Sequence, residues 1–302
     1  MYSFEKLALL IFSATLVPCL PSPKAEPSAN PVQSGGDTSK SNKQPIQGSN
    51  TAPSKKKGGA IWPVAHMSEV LTSLGVAWAY SWDEHPSTSF TDFQGSAPKG
   101  IELIPMVKLE DNSDTTKIAA SSSSAMLGWN EPDNAIDVGQ AIGKWPQIVS
   151  SIGQKRIGAP APINVDTVNN NDWFSKFMAG IVANGGKVDF IPLHHYSPFL
   201  NDVAGGVQKF KTYVESVHEK YKLPIWITEF AMIDYSVPDQ PKYPDQATQI
   251  EFMKQACQML EDLESVERYA WFAVPQSDKD PATYLVDAGG NLNELGKVYA
   301  GV

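Results

Sequence analysis

The sequence predicts an α/β fold, namely a single (β/α)8 (TIM) barrel preceded by a signal segment and a disordered linker. Apolar runs of the length of buried strands alternate with helix-like stretches, as a parallel sheet with crossover helices requires. This alternation covers residues 58–302, and about 245 residues is close to the usual length of one barrel. The chain is 42% hydrophobic, which is enough for a sizeable core.

The first 57 residues are predicted to lie outside the barrel. Residues 1–20 have the pattern of a secretory signal, because Lys6 precedes an apolar stretch at 7–17 that is too short to span a bilayer. Residues 21–57 are rich in Pro, Ser, Asn, Gln and Lys, so we expect a disordered linker that ends in a solvated run of three lysines, 55–57. We therefore expect a secreted protein of the extracellular space or cell wall; a retained membrane anchor is the alternative.

Charge and motif content exclude several classes of function. The net charge of −9 argues against binding to nucleic acid or to an anionic membrane, and it is compatible with a neutral substrate. The cysteines, Cys19 and Cys257, offer no pair for a zinc or redox site once a signal containing Cys19 is removed. Neither a G-x-G-x-x-G or Walker sequence nor a G-x-S-x-G elbow occurs, so nucleotide chemistry and serine hydrolysis lack their usual signals.

The individual elements follow from apolar runs and their breakers. Seven strands are predicted, at residues 76–82, 101–107, 126–131, 156–161, 188–196, 225–230 and 268–274. By elimination the eighth strand is assigned to residues 89–94. Helices are predicted at residues 62–74, 136–150, 173–184, 206–220 and 246–263.

Two of the predicted strands end at a glutamate. Pro132 stops one apolar run directly after Glu131, and a second run, beginning at Ile225, ends around Glu229. A single strand-end glutamate is more often a surface or salt-bridged residue than a catalyst. However, the carboxyl ends of barrel strands are where active sites are built, and two carboxylates there indicate glycoside hydrolysis.

Aromatic side chains recur at the predicted strand ends. Trp78, Tyr80 and Trp82 alternate along one strand and therefore share one side of it, and Trp271 lies near the end of another. If these ends converge, they form an aromatic-walled cleft around the two carboxylates. Filling of the barrel interior is the alternative role for each of these residues.

The pair His194-His195 is compatible with a metal site only at first sight. Adjacent strand residues point to opposite faces, so both cannot bind one ion, and we expect no metal. One histidine should face the site as a hydrogen-bond donor while the other packs outward. Asp133, in the loop after Glu131, is expected either to belong to the site or to cap the next helix.

Six short motifs follow one another along the predicted barrel. They are Tyr80-Ser81-Trp82, Ile104-Pro105-Met106, Gly128-Trp129-Asn130-Glu131-Pro132-Asp133, His194-His195-Tyr196, Trp226-Ile227-Thr228-Glu229-Phe230 and Arg268-Tyr269-Ala270-Trp271-Phe272. In this order they resemble glycoside hydrolase family 128, the fungal alkali-sensitive-linkage-protein type of β-1,3-glucanase within the clan A barrels. The resemblance extends over roughly residues 60–300.

This resemblance implies a retaining endo-β-1,3-glucanase that needs no cofactor, acts on β-1,3-glucan and is a monomer. Glu131 on strand four would be the acid/base, and Glu229 on strand seven the nucleophile. Asn130 would hydrogen-bond the sugar 2-hydroxyl, and Tyr196 would orient the nucleophile. The substrate-binding residues that it implies are Asn130, Tyr196, His195, Trp82, Trp271, Tyr80 and Met106.

Two other functions stay open from the sequence. The first is a non-catalytic β-glucan-binding protein of the cell wall that uses the same cleft, to which the Ser/Pro-rich linker is suited. The second is a clan A glycosidase of another specificity, such as β-1,4-mannan or β-1,6-glucan.

Overall fold

The computed structural model describes residues 54–109, 115–237, 240–274 and 282–302. The predicted signal segment and all but the end of the predicted linker lie outside these residues. Within the described part, eight strands alternate with helices. The strands are β1 (Lys57–Ile61), β2 (Trp78–Tyr80), β3 (Glu102–Leu103), β4 (Ala125–Met126), β5 (Arg156–Ile157), β6 (Ile191–Tyr196), β7 (Ile225–Ala231) and β8 (Val266–Val274).

The strands close into a parallel barrel. Six of them form a sheet in the order β3-β2-β1-β8-β7-β6, and β4 pairs with β5. Parallel bridges from Met106 to Leu127 and from Gly158 to Phe190 join these two sheets just beyond the ends of the short strands. The predicted (β/α)8 fold is therefore confirmed.

The helices form the outer layer. Five lie where the sequence predicts them, and α2, α3 and α8 are additional. From α4 onward, each helix begins directly after an Asp or Asn whose side chain accepts backbone N–H groups of the first turn, which satisfies donors that the helix leaves free. The helices are α1 (Met67–Leu74), α2 (Pro86–Ser89), α3 (Thr115–Ala120), α4 (Val138–Ser151), α5 (Trp173–Ala183), α6 (Val203–Tyr221), α7 (Gln246–Asp262) and α8 (Glu294–Gly301).

The assignment of the eighth strand to residues 89–94 is wrong. Those residues contain the end of α2 and a 3₁₀ turn, Thr91–Phe93, and the missing strand is β1. A Cβ at Gly58 would lie only 2.2 Å from the Trp78 indole. The residue of β1 at this position must therefore be glycine, because the ring of the neighbouring strand crosses it. The strand consequently lacks the apolar run that identifies the others.

The end of the linker also differs from the prediction. Lys57 is the first residue of β1 and is only 3% exposed. Its Nζ donates to three carbonyl oxygens at the end of α8, at 2.8, 2.9 and 3.3 Å. The Nζ of Lys56 donates to three at the end of α7, at 2.7, 3.0 and 3.3 Å. These lysines cap two helix C-termini, where cations are favoured, and the barrel therefore begins before residue 58.

A polar cluster lies inside the barrel at the end where the strands begin. Arg268 in β8 pairs with Glu102 in β3 at 2.5 Å, and its guanidinium lies 4.3 Å from the centre of the Trp226 ring. Glu102 also accepts hydrogen bonds from the backbone and hydroxyl of Ser124, both at 2.7 Å. These contacts join β8 to β3, from which it is separated in the sheet by β1 and β2.

Among the described residues, no helix combines the length and the hydrophobicity needed to cross a membrane.

Candidate active site

Glu229 is brought to the barrel interior by a β-bulge in β7. Leu193 of β6 pairs with Ile227, but the next residue, His194, pairs with Glu229, so Thr228 is an extra residue on β7. A bulge of this kind changes the direction in which the following side chains point, and such bulges often occur beside active sites. Trp226 and Glu229 consequently both face inward although they lie three residues apart.

Glu131 is held just beyond the end of β4 in a left-handed backbone conformation, with φ of 41°. Its N–H donates to the carbonyl of Ala161 at 2.7 Å. Three residues earlier, a Cβ on Gly128 would come within 2.7 Å of the Ala159 backbone. Glycine therefore allows the two strands to approach closely at the position that leads into Glu131.

His194 lies between the two glutamates. Its Nδ1 is 3.0 Å from Oε1 of Glu131, and its Nε2 is 3.3 Å from Oε1 of Glu229. One carboxylate oxygen from each glutamate and one ring nitrogen all lie within 4.8 Å of one another. The two carboxylates, far apart in sequence, thus meet at the end of the barrel where the strands finish.

Glu229 is the more enclosed carboxylate, with a side chain 5% exposed against 20% for Glu131. Trp82 Nε1 donates to its Oε1 at 2.8 Å, and the Tyr196 hydroxyl donates to its Oε2. Burial raises the pKa of Glu229, while His194, Tyr196 and Trp82 oppose that rise by stabilising the ionised form. Its oxygens are therefore held in fixed positions by side chains from the ends of β2 and β6.

The electrostatics of His194 follow from the same arrangement. Burial alone would disfavour its charged form, but the carboxylates of Glu229 and Glu131 act in the other direction, and its pKa is raised. A proton is thus stabilised between the two glutamates.

His195, which was predicted to lie near the cleft, faces the other way. Its ring stacks on Phe210 of α6, with centroids 4.0 Å apart. Burial lowers the pKa of His195 to about 3, so the ring is neutral at ordinary pH. The alternation of side chains along the strand could have predicted this. His194 and Tyr196 lie on one face of the strand, and His195 lies on the other.

Trp271 was predicted to form a platform for a sugar, and this is also wrong. It is fully buried, packs edge-on against Phe230 at 5.1 Å and donates through Nε1 to the Thr283 carbonyl at 2.7 Å. It therefore belongs to the layer between strands and helices. The next residue, Phe272, is partly exposed and takes the inward-facing position.

Partly exposed aromatic rings line one side of the site. Trp62 stacks on Trp82 with ring centroids 4.1 Å apart, and Phe272 contacts both rings edge-on at 5.5 and 6.1 Å. Phe272 also meets Tyr196, at 5.4 Å. The sequence prediction placed Trp62 in a helix; it directly follows β1, and recognising that strand would have placed it at the barrel rim.

The other predicted site residues occupy different depths. Asn130 is partly exposed beside Glu131, and its Oδ1 has no hydrogen-bond partner among the described residues. Tyr80 is buried; its hydroxyl donates to the Thr228 carbonyl at 3.0 Å and lies 3.5 Å from Glu229. Met106 is buried in the interior cluster, 2% exposed, so it supports the site from below.

The donor set of Glu131, His194 and Glu229 also has the atoms that a cation requires. Each could supply one ligand atom, whereas His195 points away from this group. The contacts of His194 with both carboxylates are sufficient to explain why these three side chains lie together.

A parallel (β/α)8 barrel with two facing carboxylates and an aromatic wall at its C-terminal end defines the class of glycoside hydrolases. The family model of the glycosyl hydrolase catalytic core matches residues 59–299. A variant of an endo-β-1,3-glucanase of family 128, subgroup I, from Amycolatopsis mediterranei, solved with laminaritriose and laminaribiose, is 32% identical; the match covers 82% of this chain and 99% of that one, with a TM-score of 0.73. The chain belongs to glycoside hydrolase family 128.

Two further relatives extend the comparison. A curdlan-specific exo-β-1,3-glucanase of subgroup III from Blastomyces gilchristii is 26% identical over 82% of this chain and 99% of its own, with a TM-score of 0.62. Alkali-sensitive linkage protein 1 of Schizosaccharomyces pombe is 27% identical over 266 residues, which are 82% of this chain and 44% of that protein. The chain thus spans less than half the length of this curated relative.

Proposed function

We propose that this chain is a retaining endo-β-1,3-glucanase that hydrolyses β-1,3-glucan through a glycosyl-enzyme intermediate. The observation that carries the proposal is the meeting of Glu131 and Glu229 within 4.8 Å around His194. Retaining glycosidases hold their carboxyl groups about 5–5.5 Å apart, whereas inverting enzymes separate them by roughly 6.5–9.5 Å to admit a water molecule. The spacing favours retention.

The environments of the two glutamates support different roles. Glu229 is enclosed and oriented by Trp82 and Tyr196, as a nucleophile must be if it is to meet one carbon atom. Glu131 is more exposed, so its carboxyl group can reach the leaving oxygen and then a water molecule. We therefore assign Glu229 as the nucleophile and Glu131 as the acid/base.

The proposed reaction has two steps. In the first, a Glu229 oxygen bonds to the anomeric carbon while the glycosidic bond breaks and Glu131 gives its proton to the departing oxygen. In the second, Glu131 takes a proton from water, whose oxygen attacks the same carbon and releases Glu229 as a carboxylate. The negative charge of Glu229 disappears in the first step and returns in the second. Because His194 contacts both carboxyl groups, a proton on its ring can balance that charge.

The substrate proposal depends on the relatives and on the aromatic wall. The Amycolatopsis enzyme has been solved with laminari-oligosaccharides, and variants of it replace two different glutamates. The rings of Trp62, Trp82 and Phe272 offer apolar faces against which a sugar ring can pack. The endo-acting relative is more similar than the exo-acting one, at 32% against 26% identity, which favours internal cleavage.

The proposal also covers where the enzyme acts. Residues 1–20 would direct secretion and residues 21–53 would connect the barrel to what precedes it, so that a monomeric enzyme meets glucan outside the cell or in its wall. The support for this part is the sequence pattern alone.

The test is hydrolysis of laminarin followed by proton NMR of the first product. Retention requires the β-anomer to appear first, and an α-anomer would contradict it. Glu131→Gln and Glu229→Gln should each remove activity, while Glu294→Gln, which changes an exposed carboxylate 67% accessible, should not. Product sizing separates endo from exo action, and laminarin binding with no new reducing ends would favour the non-catalytic wall protein instead.

A further inference from the structure

The turn after Glu131 is tied to the neighbouring strand end at two points. Glu131 N–H donates to the Ala161 carbonyl at 2.7 Å, and two residues further along each segment Ile163 N–H lies 3.2 Å from both carboxylate oxygens of Asp133. The ties lie at Glu131 and at Asp133, on either side of Pro132. Together they hold the left-handed backbone of Glu131, a conformation that non-glycine residues keep only where the surroundings enforce it.

We infer that Asp133 is a positioning residue, whose carboxylate holds this turn against Ile163 and thereby aims the Glu131 side chain at the scissile oxygen. The inference rests on the proposed acid/base role of Glu131. The sequence-based alternative, that Asp133 caps the next helix, does not apply, because Asp137 is the N-cap of α4.

Three features favour this role over simple loop stability. Asp133 is partly buried, and it lies close enough to Glu131 and His194 for their charges to interact. Pro132 is buried at the start of the 3₁₀ turn Pro132–Asn134, so the turn is anchored on one side by packing and on the other by Asp133. Release of the second anchor would let Glu131 move without unfolding the barrel.

Two substrates separate misplacement of the acid from general damage. Laminarihexaose needs a proton on its leaving group, whereas a 2,4-dinitrophenyl β-laminaribioside has a leaving group that departs without one. Asp133→Ala should lower kcat/KM on laminarihexaose by about 100-fold, the effect of a displacement of about 1 Å. On the aryl glycoside, kcat/KM should stay within about threefold of the wild type, since formation of the glycosyl-enzyme there needs no acid.

Two variants serve as matched controls. Asp133→Asn keeps an oxygen that can accept from Ile163 N–H and removes the charge, so it should restore most of the activity on laminarihexaose. Asp137→Ala, four residues away, removes the helix cap to Gly139 and Gln140; it should lower the Tm and leave the ratio of the two kcat/KM values unchanged.

The outcomes are distinct. Equal losses on both substrates, or no loss on either, for Asp133→Ala would overturn the inference, and so would an Asn variant as impaired as the Ala variant. Glu131→Gln measured beside them must show the same selective loss; if it does not, the proposed role of Glu131 fails, and the inference with it. If Asp133→Ala does not fold, hydrogen exchange of the Ile163 amide in the wild-type enzyme decides, because an unprotected amide there contradicts the tie.

Discussion

The two ends of the barrel use charged groups in opposite ways. Where the strands begin, Arg268 and Lys57 meet a partner of opposite charge or a set of carbonyl oxygens, although Nη1 of Arg268 has no hydrogen bond among the described residues. Arg268 pairs with Glu102 and lies over Trp226, and the Nζ of Lys57 has three carbonyl acceptors. This end joins strands and helix ends into one structure.

Where the strands finish, like charges are crowded together. Glu131 and Glu229 share one histidine, and the Nε2 of His194 and the Oδ1 of Asn130 have no hydrogen bond among the described residues. Trp82 and Glu131 have left-handed backbones, with φ of 52° and 41°. Crowded like charges, unpaired polar atoms and strained backbone all destabilise the folded protein. Such features are typical of functional sites, and the remainder of the fold must offset them.

The difference between the two ends can be tested by replacing one glutamate at each end. The largest effect is expected on the activity of the variant at the catalytic end. Glu229→Gln should lower kcat on laminarin by at least about 1,000-fold, because an amide cannot act as the nucleophile. Its Tm should equal or exceed that of the wild type, since a buried charge beside Glu131 is removed. Kinetics and calorimetry of the same preparation measure both.

The matched variant at the other end is Glu102→Gln. It should lower the free energy of unfolding by about 2 kcal/mol through loss of the pairing with Arg268, with kcat unchanged. If Glu102→Gln removes activity in the folded protein, or Glu229→Gln is strongly destabilising, the division between the two ends does not hold.

A loss of stability of similar size, smaller than the effect of Glu229→Gln on kcat, is expected at the start of β1. Lys57→Met removes the charge-assisted hydrogen bonds to the end of α8 and should lower the free energy of unfolding by about 2 kcal/mol, or the Tm by roughly 4–8 °C. Lys297→Met, which removes an exposed pairing with Glu294, should change it by less than about 0.5 kcal/mol. Equal effects in calorimetry would mean that Lys57 is not a structural cap.

The smallest predicted effect is a slope of stability with pH. The folded-state pKa values of Glu229 and His194 are both raised, so the folded site binds more protons than the unfolded chain. Their contribution is complete below the ordinary glutamate value of 4.5 and is lost as the pH rises through the folded values, past 6.5. Between pH 4 and 8 the wild type should therefore lose more stability than Glu229→Gln.

The comparison of the wild type with Glu229→Gln is needed because groups elsewhere in the protein have lowered pKa values, which change stability with pH in the opposite direction. These groups are present in both proteins. Glu102, whose pKa is lowered by Ser124 and Arg268 despite its burial, contributes stability that is lost on acidification. Thermal unfolding of both proteins at several pH values gives the difference directly. A wild type that gains stability relative to Glu229→Gln as the pH rises would contradict the predicted direction.

The sequence predicted the barrel because most strands carry their own apolar run and most helices their own cap. It did not predict β1, since the constraint on Gly58 comes from Trp78, a residue of the neighbouring strand. Three lysines in a row indicate a solvated segment unless the helix ends capped by Lys56 and Lys57 are known to be near. Both features depend on contacts distant in sequence, which local patterns do not contain.

For the site, the sequence predicted that the two glutamates and Tyr196 lie at strand ends, and the structure brings these three side chains together. His194 was accessible from alternation with Tyr196, so the choice of His195 was an avoidable error. The inward position of Glu229 was not accessible in this way, because the bulge at Thr228 shifts the alternation and only the pairing with β6 shows it.

Because β1 is parallel to the other strands, the polypeptide enters the barrel at the face opposite the carboxylates, beneath Lys56 and Lys57. The first described residue, Ser54, and the two carboxylates therefore lie at opposite ends of the barrel. A substitution or label at Ser54 would leave the catalytic end untouched.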